Sequence, residues 1–231
     1  MSGIDHSLIA GFALFKDFST EQMKSVLKGA RSIRYPANQN VFEQDSAAHS
    51  FFFLLHGHLR VAKMTPDGRQ VVVRYVNPGD LFGIAQAMGR ATYPATSTAV
   101  VDSIALVWPS SSWPNLTEQY PAFVTNAMHA VGRRLQEAHG KVVGLATQTA
   151  DRRIAHVLLD LVQKTGRESA LGTEISFPLS RQDVAEMTGT TLHTVSRLLS
   201  AWEEQGIVKS RRRKIAVSNW SALKAIAEKG E

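Results

Sequence analysis

The chain contains no cysteine. Disulfides, thiolate nucleophiles, cysteine-ligated zinc and iron–sulfur clusters are therefore all excluded. Long apolar runs are missing as well. FFFLL at 51–55 is typical of those present, far short of the roughly 18 residues that a membrane-spanning helix needs. No export signal is read in MSGIDHSLIAGFALFKDF, where an acidic residue stands in place of the usual positive charge. A soluble, cytoplasmic protein without membrane partners is expected. There is no strong excess of one charge either: 26 Lys+Arg face 20 Asp+Glu, and residues 1–147 and 148–231 each carry 13 basic and 10 acidic side chains. Global charge thus singles out no nucleic-acid-binding half. No P-loop, no Ser-His-Asp order and no carboxylate pair rises above background.

What is present suits two domains. A length of 231 residues with 44% hydrophobic side chains exceeds one average domain and fills its cores. Residues 6–29 read as helical, with Ser19-Thr20-Glu21 opening a helix. Strands are expected at 31–35, 40–43, 50–56, 58–64, 70–76, 95–100 and 103–108, punctuated by TPDG (65–68) and NPGD (77–80). Many short strands at such intervals indicate a sandwich, barrel or jelly roll. Pro121 then opens a long helix, in whose first turn no amide hydrogen is required. Val124, Met128, Val131, Leu135, Ala138, Val142 and Leu145 follow at alternating spacings of four and three, a seam for a second helix. A homodimer is expected; the alternative is one helix lying on its own β domain. Residues 147–150 read as a hinge, and 151–165 as a further helix stopped near Gly166.

The segment LSRQDVAEMTGTTLHTVSRLLSAWEEQGIV (179–208) carries the function. Ser180 suits the N-cap of one helix, with Asp183 favourable to its dipole, and Thr191 suits the N-cap of a second. Ala185, Gly189 and Val195 supply the small crossing residue, the turn and the β-branched residue that a helix-turn-helix packs between its helices. Beyond it, Lys209, Arg211, Arg212, Arg213 and Lys214 place five positive charges in six residues, with apolar residues on either side. Such a run is usually a solvated face. Beside a helix-turn-helix it reads as the tip of a wing that meets phosphates.

These motifs, with FFFLLHGHLRVAKMTPDGRQVVVRYVNPGDLFG at 51–83, resemble the Crp–Fnr superfamily of transcription regulators over nearly the whole chain. The resemblance implies an α+β architecture: a jelly-roll-like β-roll sensor of the cyclic-nucleotide-binding kind (1–120), a dimerisation helix (121–146) and a winged helix-turn-helix (147–231). It implies a homodimer on double-stranded DNA that works with RNA polymerase. His193, Ser196 and Arg197 match the family's base-reading positions and share one helical face. Arg197 can donate bidentately to guanine O6 and N7. By resemblance to members sharing Ser-Arg, the expected site is a TTG half-site with its inverted complement. His193 replaces the usual Glu, which alters the preference at the next base pair. Ser180 and Gln182 match phosphate-gripping positions, and Thr191, Lys209, Arg211, Arg212 and Arg213 complete the expected phosphate contacts.

Three signals are weighed. Iron–sulfur sensing falls with the missing cysteines. Cyclic AMP is not expected, because Phe82-Gly83-Ile84 lacks the ribose-binding Glu and Tyr93-Pro94-Ala95-Thr96 has Ala95 where the phosphate-binding Arg belongs. The Tyr-Pro stretch and the His-x-x-Ser-Arg helix resemble the nitric-oxide-responsive branch of denitrification regulators (the NnrR/Dnr type), which implies sensing through haem b. With no cysteine, histidine is the remaining axial ligand. Strand alternation puts Phe51, Phe53, Leu55, Leu59 and Val61 inside the roll, and Phe52, Leu54, His56, His58 and Arg60 on a face covered by helices, where His56 or His58 reaches haem iron. His6, His49, His129 and His139 are weaker candidates. A regulator without haem is the alternative. His56-x-His58 also matches cupin metal enzymes, but Ala62 and Lys63 stand where their Glu is required.

Overall fold

A computed structural model describes residues 5–228. The outermost ends of the first and last expected domains, 1–4 and 229–231, lie outside the described residues. Two compact units divide the rest: Val73–Glu137 joins the residues before it up to Gly68, while Arg69–Val72 joins the chain from Ala138 onward. The helix expected at 121–146 runs to Thr147 and the next helix starts at Ala150, which narrows the expected hinge to 148–149, whereas the division between units falls inside the long helix.

In the first unit, two short 3-10 turns (His6–Leu8 and Ala13–Phe15) precede α1 (Thr20–Lys28). The expected helical stretch is broken where Asp17 takes a φ of 66°. Ser19 caps α1: its Oγ accepts from Gln22 N, and the Gln22 side chain accepts from Ser19 N. The strands are β1 (Arg31–Tyr35), β2 (Asn40–Phe42), β3 (Ser50–His56), β4 (Leu59–Met64), β5 (Gln70–Val76), β6 (Leu81–Phe82), β7 (Thr96–Ala99) and β8 (Ser103–Pro109). They form two four-stranded sheets, β1-β8-β3-β6 and β2-β7-β4-β5. Helix α2 (Trp113–Gln119) leads into α3 (Pro121–Thr147).

The two faces of β3 are the reverse of the sequence expectation. Phe51, Phe53 and Leu55 pack outside the roll, against Phe15, Leu27, Trp113 and Phe123 of the helical elements. Phe52 and Leu54 point inside, and Leu59 and Val61 join them there. The alternation of one strand does not carry into the next, because Gly57 reverses the chain and β4 belongs to the other sheet. Gly57 has a φ of 88°, and a Cβ there would lie 2.2 Å from Ser103 Oγ, so only glycine makes this turn. A register shift between Leu54 and His56 displaces the strand end further.

The second unit contains α4 (Ala150–Thr165), β9 (Gly166–Ser169), β10 (Gly172–Ile175), α5 (Arg181–Thr188), α6 (Leu192–Glu204), β11 (Val208–Arg211), β12 (Lys214–Val217) and α7 (Trp220–Glu228). Its strands make one antiparallel sheet in the order β11-β12-β10-β9. Ile154, Leu158, Val184, Val195, Leu199, Val208 and Leu223 are fully buried and form its core. No apolar alternation in the sequence marks β9 and β10.

Candidate nucleic-acid interface

Local chemistry builds the two helices of the motif. Ser180 Oγ accepts from Asp183 N at 3.0 Å, and an Asp183 oxygen accepts from Ser180 N at 2.9 Å, closing a capping box at the start of α5. The helix ends at Gly189, whose φ of 60° is the left-handed stop that glycine adopts freely. A Cβ there would meet the Leu145 side chain at 2.8 Å. Thr191 caps α6 by accepting from Thr194 N at 3.1 Å. Ala185 and Val195 are both buried where the helices cross. Arg153 fastens the motif to α4: its Nε donates to Thr188 O at 2.8 Å, satisfying a carbonyl at the α5 terminus.

Burial of Val195, Leu199 and Trp202 turns the opposite face of α6 outward. That face carries His193 and Arg197, both exposed, and Ser196, half-buried. A cation, an imidazole and a hydroxyl thus stand together on one helix turn at a capped, positively polarised N-terminus. Among the phosphate candidates, Gln182 is exposed and donates to Glu186 at 2.9 Å, while the hydroxyls of Ser180 and Thr191 serve in the caps. The Ser180 hydroxyl also donates to Asp183 Oδ2 at 2.5 Å, and that of Thr191 lies 2.9 Å from Thr194 Oγ1, so meeting a phosphate requires each to exchange an intramolecular partner.

The basic run is a hairpin, with Ser210 opposite Ile215 and Arg211 opposite Lys214. Lys209, Arg211, Arg212 and Arg213 are exposed. At its base Glu174, nearly buried, accepts from Arg167 at 2.8 Å and lies 3.6 Å from Lys214 Nζ. The hydrogen bond from Arg167 holds the Glu174 carboxyl below its ordinary value. Sequence reasoning missed Arg181 and Glu203: Arg181 Nη2 donates to Ser210 Oγ at 3.0 Å and stands 3.8 Å from Glu203 Oε2. No spacing rule signals a contact among residues brought together by three elements.

The sensor's histidines are placed differently from expectation. His56 is exposed at the end of β3. His58 is half-buried in the turn, its Nδ1 3.0 Å from Asn77 Oδ1, and burial lowers its pKa. Because Phe52 and Leu54 face the roll interior, no helix-covered apolar face joins them to either histidine. Inside the roll, Phe42 stacks on Tyr93 at 4.0 Å, and Phe52 stacks on Phe82 at 5.1 Å. Tyr93 is locked by donating to Ser50 O at 2.6 Å. Among the described residues, no cluster of three or more His, Asp or Glu side chains is placed to hold a metal ion.

A β-roll followed by a winged helix-turn-helix with a polar recognition face defines a DNA-binding regulator. Residues 32–120 match the cyclic nucleotide-binding domain family, and residues 152–226 match the Crp-like helix-turn-helix domain family. The chain belongs to the Crp–Fnr family of transcription regulators and is not an enzyme. It is 26% identical over 197 residues to the nitrogen fixation regulation protein FixK of Bradyrhizobium diazoefficiens, covering 85% of this chain and 82% of that one. The FixK protein of Azorhizobium caulinodans is 29% identical over 204 residues, covering 83% and 77% of the two chains. The structure of FixK2 from Bradyrhizobium japonicum superposes with a TM-score of 0.76 at 25% identity, covering 87% of this chain and 99% of that chain. No helix among the described residues is long and apolar enough to cross a membrane.

Proposed function

We propose that the chain acts as a homodimer on palindromic DNA, reading TTG and its inverted complement through His193, Ser196 and Arg197. The carrying observation is their common outward face on a capped, firmly packed helix. Arg197 takes the guanine, Ser196 the neighbouring pair, and His193 sets preference beyond the triplet. Lys209, Arg211, Arg212, Arg213, Gln182, Ser180 and Thr191 meet phosphates, which position the helix without reading sequence. The dimer is supported by α3, on which Met128, Leu135, Val142 and Leu145 leave more than half of their surface uncovered. Val124 is half-buried and Ala138 exposed, while Val131 packs partly on its own unit. An apolar stripe of this length on one helix calls for a partner. RNA polymerase is the machinery that such a bound dimer would recruit or obstruct.

The effector reading is nitric oxide or low oxygen, as in the NnrR/Dnr-type branch. The names of the FixK relatives, which place those proteins in the control of nitrogen fixation, support a role in nitrogen metabolism. Haem does not fit the expected ligands. His56 is exposed, and His58 is engaged by Asn77. The ring stacks inside the roll favour the alternative of a regulator without haem, and Ala95 stands where a cyclic nucleotide's phosphate would need a cation.

Arg197→Ala tests the assignment. Operator affinity should fall by about 1–3 kcal/mol, and discrimination between guanine and other bases at that position should relax. Selectivity that survives the substitution would remove Arg197 from the reading face.

A further inference from the structure

Base reading by α6 and phosphate binding by the wing require a fixed angle between the two. A hairpin alone does not supply it, since two strands are marginally stable in isolation. Of the hairpin, β10 pairs with Ala216 and Val217 alone, so among the described residues its outer part has no sheet neighbour beyond its own strands. Burial of Ile215 seats it, but apolar contact is not directional.

Direction comes from one polar group on each of three elements. Arg181 opens α5, Glu203 lies in the last turn of α6, and Ser210 lies within β11. Arg181 Nη2 donates to Ser210 Oγ at 3.0 Å and approaches Glu203 Oε2 at 3.8 Å. Glu203 Oε1 accepts from Ser210 N at 2.6 Å. Nearer the tip, Leu179 N donates to Arg213 O at 2.9 Å. The Arg181 and Glu203 side chains are each about two-thirds or more covered, so their geometry is held by packing. We propose that Arg181 is a positioning residue: through Glu203 and Ser210 it locks the wing against the recognition helix, setting where Lys209, Arg211 and Arg212 meet the phosphates. The proposal rests on the DNA reading above and adds the device that joins its two halves.

The sign of one substitution separates this lock from plain electrostatics. Glu203 is an anion in a module that binds a polyanion, so its removal should strengthen binding if charge alone mattered. A lock requires the opposite.

The experiment uses the full chain, with a nitroxide on Arg212→Cys as its single thiol. Arg181→Ala and Glu203→Ala should each sharpen the spectrum, reporting a freer wing, without DNA present. In unlabelled protein, each should weaken binding to a random-sequence duplex about tenfold and lower the salt slope as removal of the two wing-tip arginines does. Combining Arg181→Ala with Arg211→Ala and Arg212→Ala should add little, because the contacts are already lost. Ser210→Ala, which leaves no buried charge behind, should show the same changes more weakly and guards against misfolding of the other variants. An unchanged spectrum, tighter binding by Glu203→Ala, or fully additive losses would overturn the lock. If the unsubstituted protein bound no duplex, the DNA reading would fall, while the nitroxide spectra would still decide whether the wing is locked.

Discussion

Arg213 sits at the wing tip with a φ of 58°, a left-handed conformation that costs a side-chain-bearing residue about 1 kcal/mol or more. Glycine would adopt it without that cost, so an arginine here sacrifices stability for charge. Arg213→Gly should raise the thermal midpoint of the second unit by about 4–8 °C. The same substitution should weaken duplex binding and reduce the salt slope by about one. Calorimetry and a salt titration check the two opposite signs; a destabilised variant with unchanged binding would contradict the account. At this scale the two capped helices and the turn between them were legible in the sequence, because Ser180, Gly189, Thr191 and Val195 act over single helical turns. The histidines were not: their surroundings depend on where Gly57 sends the chain, which periodicity does not report.

Among the elements, the sheet of the second unit depends on a charge cluster. Glu174 on β10 binds Arg167 on β9 and faces Lys214 on β12. Its carboxyl titrates below the ordinary 4.5 first because Arg167 donates to it, so the folded state favours the ionised form. The resulting stability is present above the unfolded value and is lost as pH falls through the lowered folded value. Glu174→Gln should therefore cost about 1 kcal/mol near neutral pH. It should also flatten the decline of the thermal midpoint between about pH 5 and pH 3. A variant that follows the parent's acid profile would remove Glu174 from the sheet's stability. The β-roll strands were legible from their apolar runs and turn residues. β9 and β10, GRES and GTEI, offer too few apolar residues for alternation to show, and their pairing with the wing arises only on folding. The reversed faces of β3 have an equally definite origin, since parity was carried across a turn that moves the chain to the other sheet.

In the whole molecule, the proposed function requires two recognition helices in fixed relation. The uncovered stripe on α3 is the proposed means, and its spacing is legible because it needs only one helix. Leu135 is 55% exposed in the single chain, so its substitution should spare the fold. Leu135→Asp should sediment as a monomer and bind operator about a hundredfold more weakly, having lost the second half-site. A dimer that persists would place the interface elsewhere.

Under the proposed reading, paired α6 helices meet one face of a duplex. Hydroxyl-radical footprinting of the full chain on a TTG inverted repeat tests it most directly. Two protected patches centred about 10 base pairs apart on the same face are predicted, both fading together with Leu135→Asp. A single patch, or uniform protection indifferent to the repeat, would contradict it.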